Sequence, residues 1–384
     1  MRRSADRILT THTGSLPRPA RLQEVLTAAT PPDDRTLAAR VEEAVAELVR
    51  LQADAQVDVL NDGEASKESY STYVRERLSG FEGQGEAVLT LADLDDYPGF
   101  RERWAEQWGT KVGSVLQPPA CTGEVRVKDR HLLEADIENL RAAVKNVQAA
   151  DVFMTAASPG VIAAFFSNHH YKSHEAFLAA IADAMQEEYE AILGAGFVLQ
   201  LDCPDLAMCR HLQFSDLSLE EFRRTARQHV EVLNHATRNL DPDQMRLHLC
   251  WGNYEGPHHR DVPLRDIVDV VLEARPNGIS LEAANPRHEH EWRVFEDVKL
   301  PDGKLLIPGV IDSTNNYIEH PEVIAQRLVR YAKLVGQENV LAGSDCGFGT
   351  AAAISYVDWE ITWAKFRALA EGSRLATAEL RAAA

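Results

Sequence analysis

The sequence is short of the features that mark several large classes of protein. It holds only five cysteines in 384 residues: Cys121, Cys203, Cys209, Cys250 and Cys346. An odd number spread widely through a long chain is no disulfide framework. In a reducing compartment each would be a buried thiol, a metal ligand or a nucleophile. Basic residues are in deficit, 40 Lys and Arg against 59 Asp and Glu, for a net charge of −19. That balance argues against nucleic acid or an anionic membrane as a partner held by bulk electrostatics. No apolar run approaches the ~18–20 residues of a membrane span. The opening Met1-Arg-Arg-Ser-Ala-Asp-Arg is charged, but no apolar stretch follows it. A signal peptide is therefore not expected, and a cytoplasmic location is. Also missing is a G-x-G-x-x-G turn after the first strand, the usual sign of a doubly wound open sheet. No low-complexity linker divides the chain.

What is present is a rhythm. The apolar fraction of 45% suits a large core. A β-rich run from Ile8 closes in Gly14-Ser-Leu-Pro17, and a helical pattern covers about Asp34 to Ala55. Val57-Asp-Val-Leu-Asn-Asp-Gly-Glu64 is a second strand with a polar end. An insertion follows over about 66–130. It takes in Ser66 to Leu78 and the aromatic, acidic stretch from Tyr97 to Trp108. It ends in an extended hairpin arm at 117–127, where Pro118 and Pro119 suit a sheet edge. Helices are then expected near Leu132–Val147, Ser173–Leu193, Leu219–Arg238, Leu264–Ala274 and Pro321–Leu334. Strands alternate with them at Val152–Thr155, Val198–Asp202, Arg246–Cys250, Gly278–Glu282, Leu305–Asp312 and Val340–Gly343. A helix-rich tail occupies 357–384. Eight strands separated by helices imply parallel pairing through right-handed crossovers. In one chain of this length that predicts a TIM (β/α)8 barrel, one α/β domain over 1–384, with the hairpin arm and a helical insertion after strand 2.

Polar or ligand-type residues end the predicted strands: Ser15, Glu64, Ser158, Asp202, His248 with Cys250, Glu282, Asp312 and Cys346. In a TIM barrel that face carries the active site. His248 and Cys250 are two residues apart in a strand, so an imidazole and a thiol share one face. With Glu282 and Cys346 at other strand ends they make a nitrogen, two sulfurs and a carboxylate, a set that suits Zn2+. H-x-C alone is a weak motif, because cysteine is often simply buried. The corresponding strand ends strengthen it. A zinc held by two thiolates is a poor hydrolytic centre. It would instead bind an incoming thiol and lower its pKa, which favours transfer of an alkyl group onto sulfur. Glu282 could then leave the metal as the substrate sulfur arrives.

Other residues stay open at this stage. Asp202 reads equally as a grip for a substrate ammonium and as a strand-end cap, and Glu64 shares that ambiguity. His258, His259, His288 and His290 read more as loop hydrogen-bonders than as a second metal site. Phe165 or Phe166 could stack on a flat donor, with core packing as the plainer role.

Several segments are recognisable together. His248-Leu-Cys250, Ile279-Ser-Leu-Glu282 and Asp345-Cys-Gly347 resemble the zinc motifs of the cobalamin-independent methionine synthase family. Gly14-Ser-Leu-Pro17, Asp62-Gly-Glu64 and Gln200-Leu-Asp-Cys-Pro204 are similar to its first, second and aspartate strand ends. The likeness runs from residue 8 to about 350. It implies a barrel, a zinc-bound thiol acceptor, Ser15, Glu64 and Asp202 around an amino-acid thiol such as homocysteine, and Asp312 on the catalytic face. There are departures. Only the catalytic half of the full-length enzymes is matched. A threonine, Thr314, stands where the family has a histidine, and the family's folate-stacking tryptophan is replaced by Phe165 or Phe166.

The leading expectation is therefore zinc-dependent methyl transfer to a thiol, most simply homocysteine giving methionine. The expected partners are a small thiol and an alkyl donor, with a homo-oligomer as a further option. One alternative is addition of a thiol such as coenzyme M to an epoxide, for which Arg18, Lys67 and Arg287 are the residues to meet a sulfonate. Another is a non-catalytic barrel that binds zinc or thiols. A metal-free decarboxylase would leave the clustered cysteines unexplained.

Overall fold

Eight parallel strands wind into a nearly closed barrel in the computed structural model, which describes residues 1–26, 28, 32–85, 91–116, 119–352 and 355–383. The barrel strands are β1 (Leu9–Thr10), β2 (Val59–Leu60), β5 (Asp151–Ala157), β6 (Val198–Asp202), β7 (Met245–His248), β8 (Gly278–Glu282), β9 (Leu305–Ile311) and β10 (Leu341–Ser344). Two further strands, β3 (Gly83–Gln84) and β4 (Pro119–Ala120), form an antiparallel pair in the insertion. The barrel order is β1-β10-β9-β8-β7-β6-β5-β2. Its two ends meet where the Asp58 N–H donates to the Thr10 carbonyl at 3.1 Å. The Asp58 carboxylate also takes the Thr10 N–H at 2.8 Å. The alternation of strands and helices thus has the barrel outcome expected of it.

The barrel interior is layered. Leu9, Val59, Phe153, Val198, Leu305, Ile307 and Leu341 form an apolar plug, separate from the larger core between strands and helices. The interior-facing polar groups Gln200 and Arg246 are fully buried. The terminal helix Trp359–Ala383 docks back on β1: the Ile8 N–H donates to Thr377 Oγ1 at 3.1 Å, and the Ser373 hydroxyl donates to the Ile8 carbonyl at 2.6 Å.

The helical insertion expected after the second strand is present as the helix Pro98–Leu116, while two local readings need correction. The strand expected over Arg246–Cys250 ends at His248 in β7, and the Leu249 N–H bond to the Ser280 carbonyl (2.8 Å) extends its ladder by one residue. Ser158-Pro-Gly is no mere turn. It opens the helix Pro159–Phe165, with the Ser158 hydroxyl accepting the Val161 N–H at 3.1 Å and Pro159 in the first turn, where its lack of an N–H costs nothing. The same hydroxyl donates to Asp205 Oδ1 at 2.8 Å. Ser158→Ala is expected to destabilise the protein by about 1–2 kcal/mol. A lower urea midpoint at unchanged slope would show it, and an unmoved midpoint would count against this cap.

The hairpin arm of the insertion is present: β3 pairs with β4, and the Ser79 N–H meets the Arg126 carbonyl at 2.9 Å. Gln117 and Pro118, part of the expected arm, lie outside the described residues. Phe81 on this arm packs against Phe166, ring centroids 4.5 Å apart.

Candidate metal centre and its two pockets

Parallel pairing puts the C-terminal ends of all eight strands on one face, and register sets which side chains meet there. Asp202 is paired with His248 across β6 and β7. His248 ends β7, Cys250 follows two residues on, and Cys346 follows β10 by the same interval. Their ligand atoms lie within 4.8 Å of one another. Cys250 Sγ is 3.7 Å from Cys346 Sγ, and Cys346 Sγ is 3.5 Å from His248 Nε2.

These spacings can be tested against a shared ion. Two sulfurs each about 2.3 Å from one metal at the tetrahedral angle stand about 3.8 Å apart, and a sulfur and an imidazole nitrogen about 3.5 Å apart. The cluster fits a tetrahedral cation, and these three residues could hold one. Its other contacts are few. Cys250 Sγ accepts the Gly252 N–H at 3.2 Å, while His248 Nδ1 is buried with no partner. Burial, with Arg246 adding to it, pushes the His248 imidazole down to about 3, so it stays neutral, as a ligand must be. The Cys250 thiol is pushed up, first by its contact with Cys346 and then by burial. A metal bound between the two sulfurs would reverse that shift.

Glu282, expected as the fourth ligand, is not among the three converging groups. Its Oε1 accepts the Trp251 N–H at 2.8 Å and its Oε2 accepts Asn285 Nδ2 at 2.7 Å. Burial raises its pKa, opposed by His288 and His258.

An inner pocket opens beside the cluster. His248, Cys250 and Cys346 form one wall, and Ser15, Glu64 and Asp202 belong to the same lining. Glu64 Oε1 accepts the Thr155 hydroxyl at 2.8 Å, but Oε2 is buried with no partner. Its backbone is also left-handed, with φ at 55°. Both features cost energy in the folded chain, and such costs concentrate at functional sites. Asp202 accepts Gln200 Nε2 at 2.8 Å, and its carboxyl is pushed well above the usual range by burial and then by the Glu64 charge. A Cβ added at Gly347 would stand 1.9 Å from Ser15 Oγ, so a side chain there would force that hydroxyl to move.

A larger outer pocket of ≈ 420 Å³ lies on the other side of Cys346. Glu282 and Asp312 line it. Asp312 Oδ1 accepts the Thr314 N–H and hydroxyl at 2.7 and 2.8 Å, and Oδ2 accepts Asn315 Nδ2 at 2.6 Å. Phe165 is absent from both linings. It sits in the core and meets Tyr70, a wall of the inner pocket, edge-on at 5.7 Å.

Three site residues were given no role of their own in the sequence. Tyr70 is one. Asn253 lines both pockets and bridges their loops, donating to the Gly347 carbonyl at 2.8 Å and accepting from Ser313 at 2.9 Å. Asp345 accepts the N–H groups of Ala283, Ala284 and Asn285 at 2.7–2.8 Å, which ties the Glu282 loop to the Cys346 loop. The only signals for the last two were their positions just after His248-Leu-Cys250 and just before Cys346.

Behind the outer pocket, His258 Nδ1 and His288 Nε2 meet Asp261 Oδ2 at 2.9 and 3.0 Å. They act as hydrogen-bonders, and His259 pairs with Asp96 at 2.7 Å. Burial alone would depress His288; its bonds to Asp261 and Glu291 overcome that and lift it to about 10. The sign follows from linkage. His288 contributes its full stabilisation below its unfolded value near 6.5 and loses it as pH rises towards about 10. Unfolding free energies of wild type and His288→Gln should differ most near pH 6 and converge by pH 10. A gap that widens with pH would contradict the assignment.

The comparisons with known proteins follow the same lines. Residues 114–364 match the family model described as "Cobalamin-independent synthase, Catalytic domain", well over half of the chain. A 2-hydroxypropyl-CoM lyase from Xanthobacter autotrophicus is 25% identical over 97% of this chain and 96% of its own. A methionine synthase from Saccharolobus solfataricus is 22% identical, with the same two coverages. Among solved structures, a B12-independent methionine synthase from Shewanella sp., in complex with selenomethionine, superposes with a TM-score of 0.73 at 20% identity, covering 98% of this chain and 99% of that one. The fold is shared with it.

Proposed function

The chain belongs to the cobalamin-independent methionine synthase family, and from that premise we propose that it is a zinc-dependent S-methyltransferase that converts homocysteine to methionine. One observation carries this reading: the His248, Cys250 and Cys346 cluster forms one wall of a pocket that Ser15, Glu64 and Asp202 also line. Imidazole and thiolate donors suit zinc. His248, Cys250 and Cys346 would hold it. A bound zinc supplies the charge that lets a thiol ionise near neutral pH.

The chain's own groups do the rest. Glu64 and Asp202 take the substrate ammonium, and the open oxygen of Glu64 is the first acceptor for it. The Ser15 hydroxyl is a further contact in the same pocket. Buried walls exclude water from the sulfur. The donor enters the outer pocket, so that its methyl carbon and the acceptor sulfur meet beside Cys346, the residue both pockets share along with Asn253. The thiol gives its proton to bulk water as it enters the pocket, and a sulfur–carbon bond then forms. The bond from methyl to donor breaks, and its electron pair leaves with the donor. Asp312 lines the donor side of the outer pocket and is placed to hold and orient the donor there. Alignment within the two pockets supplies much of the rate.

Addition of coenzyme M to an epoxide would use the same thiol activation, and one relative bears a name of that class. A sulfonate, however, calls for a cation in the inner pocket. Arg18 is absent from the inner lining, and its Nη1 and Nη2 go to the carbonyls of Leu16, Gly349, Glu64 and Lys67, with Nε buried and unpartnered. Lys67 Nζ goes to the Thr155 carbonyl and hydroxyl. Arg287 lines the outer pocket instead. The inner lining therefore favours an amino thiol. Assays of zinc-loaded protein with homocysteine and with coenzyme M, each against a panel of methyl donors and epoxides, test this. Methionine formation is expected, and turnover of coenzyme M alone would overturn the reading.

A further inference from the structure

A guanidinium sits at the centre of the barrel with no carboxylate against it. Arg246 lies on β7 two residues before His248 and is fully buried. Its donors reach only neutral acceptors: Nε to Gln200 Oε1 at 2.8 Å, Nη1 to Thr11 Oγ1 at 2.9 Å, and Nη2 to the His12 carbonyl at 2.7 Å. Its flat face lies on the Phe153 ring, 3.5 Å from the centroid. A fully buried arginine is rare unless paired, because the lost hydration has to be replaced. No ion pair is found for it among the described residues. Its interior layer could have been apolar like the plug formed by Leu9, Phe153 and their neighbours. Core packing alone therefore leaves this charge unexplained.

The hydrogen-bond chain beginning at Arg246 ends in the inner pocket. Gln200 stands between Arg246 and Asp202, and its Nε2 donates to Asp202 Oδ1 at 2.8 Å and to the Thr13 carbonyl. The direction of this chain is forced. A guanidinium only donates, so Gln200 must turn its oxygen to Arg246 and its NH2 to Asp202. The other contact of that NH2 group, with the Thr13 carbonyl, agrees with this orientation. Asp202 Oδ1 must in turn accept, so it cannot carry the proton there. An acceptor oxygen of Asp202, in a pocket that also holds the Glu64 carboxylate, suits a cation.

We propose that Arg246 is a positioning residue for the thiol substrate: acting through Gln200, it fixes Asp202 as an acceptor in the inner pocket and so selects thiols that carry an ammonium group. This rests on the inner pocket being the thiol site argued above. Three variants separate the parts. Gln200→Met removes the bridge and leaves both charged groups in place. Arg246→Met removes the source of the orientation, and Arg246→Lys restores a donor-only cation.

The test is calorimetric titration of zinc-loaded, full-length protein with homocysteine and with 4-mercaptobutyrate, which differs from it only in lacking the amine. Wild type is expected to prefer homocysteine. Gln200→Met and Arg246→Met are expected to cut that preference about tenfold, the scale of one hydrogen bond to a charged group. Arg246→Lys is expected to recover part of it. If Arg246→Met does not fold by circular dichroism, Gln200→Met decides. An unchanged preference in Gln200→Met overturns the relay, and so does an equal loss of both thiols, which would mark general damage to packing. Equal binding of the two thiols by wild type would instead overturn the reading of the inner pocket itself.

Discussion

Cys346→Ser should leave the protein folded, poor in zinc and inactive. Replacing the partners of a metal's ligands typically costs 10–100-fold in affinity, so removing a ligand outright is expected to cost more than about a hundredfold. Cys346 is the residue to change because it is the hub of the cluster, touching Cys250 Sγ at 3.7 Å and His248 Nε2 at 3.5 Å. It also lines both pockets, where thiol and donor would meet. It is less deeply buried than Cys250, and serine nearly matches its shape, so the fold has little reason to fail. His248→Ala should behave alike in metal content, with a greater loss of stability from the space left behind. Metal analysis after dialysis, beside a melting curve, checks the expectation. Wild-type rates from a zinc-free variant would be incompatible with it.

Glu64→Gln should weaken homocysteine binding and leave the fold intact or firmer. A hydrogen bond to a charged group is worth about 1.5–3 kcal/mol, so KM should rise roughly 10–100-fold. The unusual part is stability. In the free protein Glu64 Oε2 has no partner, and the Glu64 charge raises the cost of ionising Asp202. A neutral amide removes that repulsion while keeping an oxygen for the Thr155 hydroxyl. The melting temperature is therefore expected to hold or rise as KM rises, a trade between stability and function. A large drop in melting temperature with little change in KM would recast Glu64 as a structural residue.

Much of this was legible in the residues because it follows from short-range periodicity. His248 and Cys250 share a face by strand alternation. The polar residues at eight strand ends reach one rim because parallel strands all run the same way. What was not legible depends on contacts between distant loops. Asp345 closes onto three N–H groups of residues 283–285, some sixty positions away. Asn253 joins the loops after β7, β9 and β10. Neither belongs to a periodic pattern. Glu282 shows the limit from the other side. Its strand-end position could be read, but the capture of its oxygens by the Trp251 N–H and by Asn285 could not. Ser158 was misread because Pro and Gly after a serine signal a turn as readily as a helix start, and only the hydroxyl's bond to Val161 decides. Strands β1 and β2 are only two residues long, so their polar ends, Ser15 and Glu64, are set by the loops beyond them.

The most direct measurement is zinc-edge X-ray absorption on the loaded protein, before and after homocysteine is added. The account predicts two sulfurs at about 2.3 Å with nitrogen or oxygen completing the shell, and a third sulfur once the thiol is present. Failure to retain zinc, or a sulfur count that does not change with homocysteine, would contradict it.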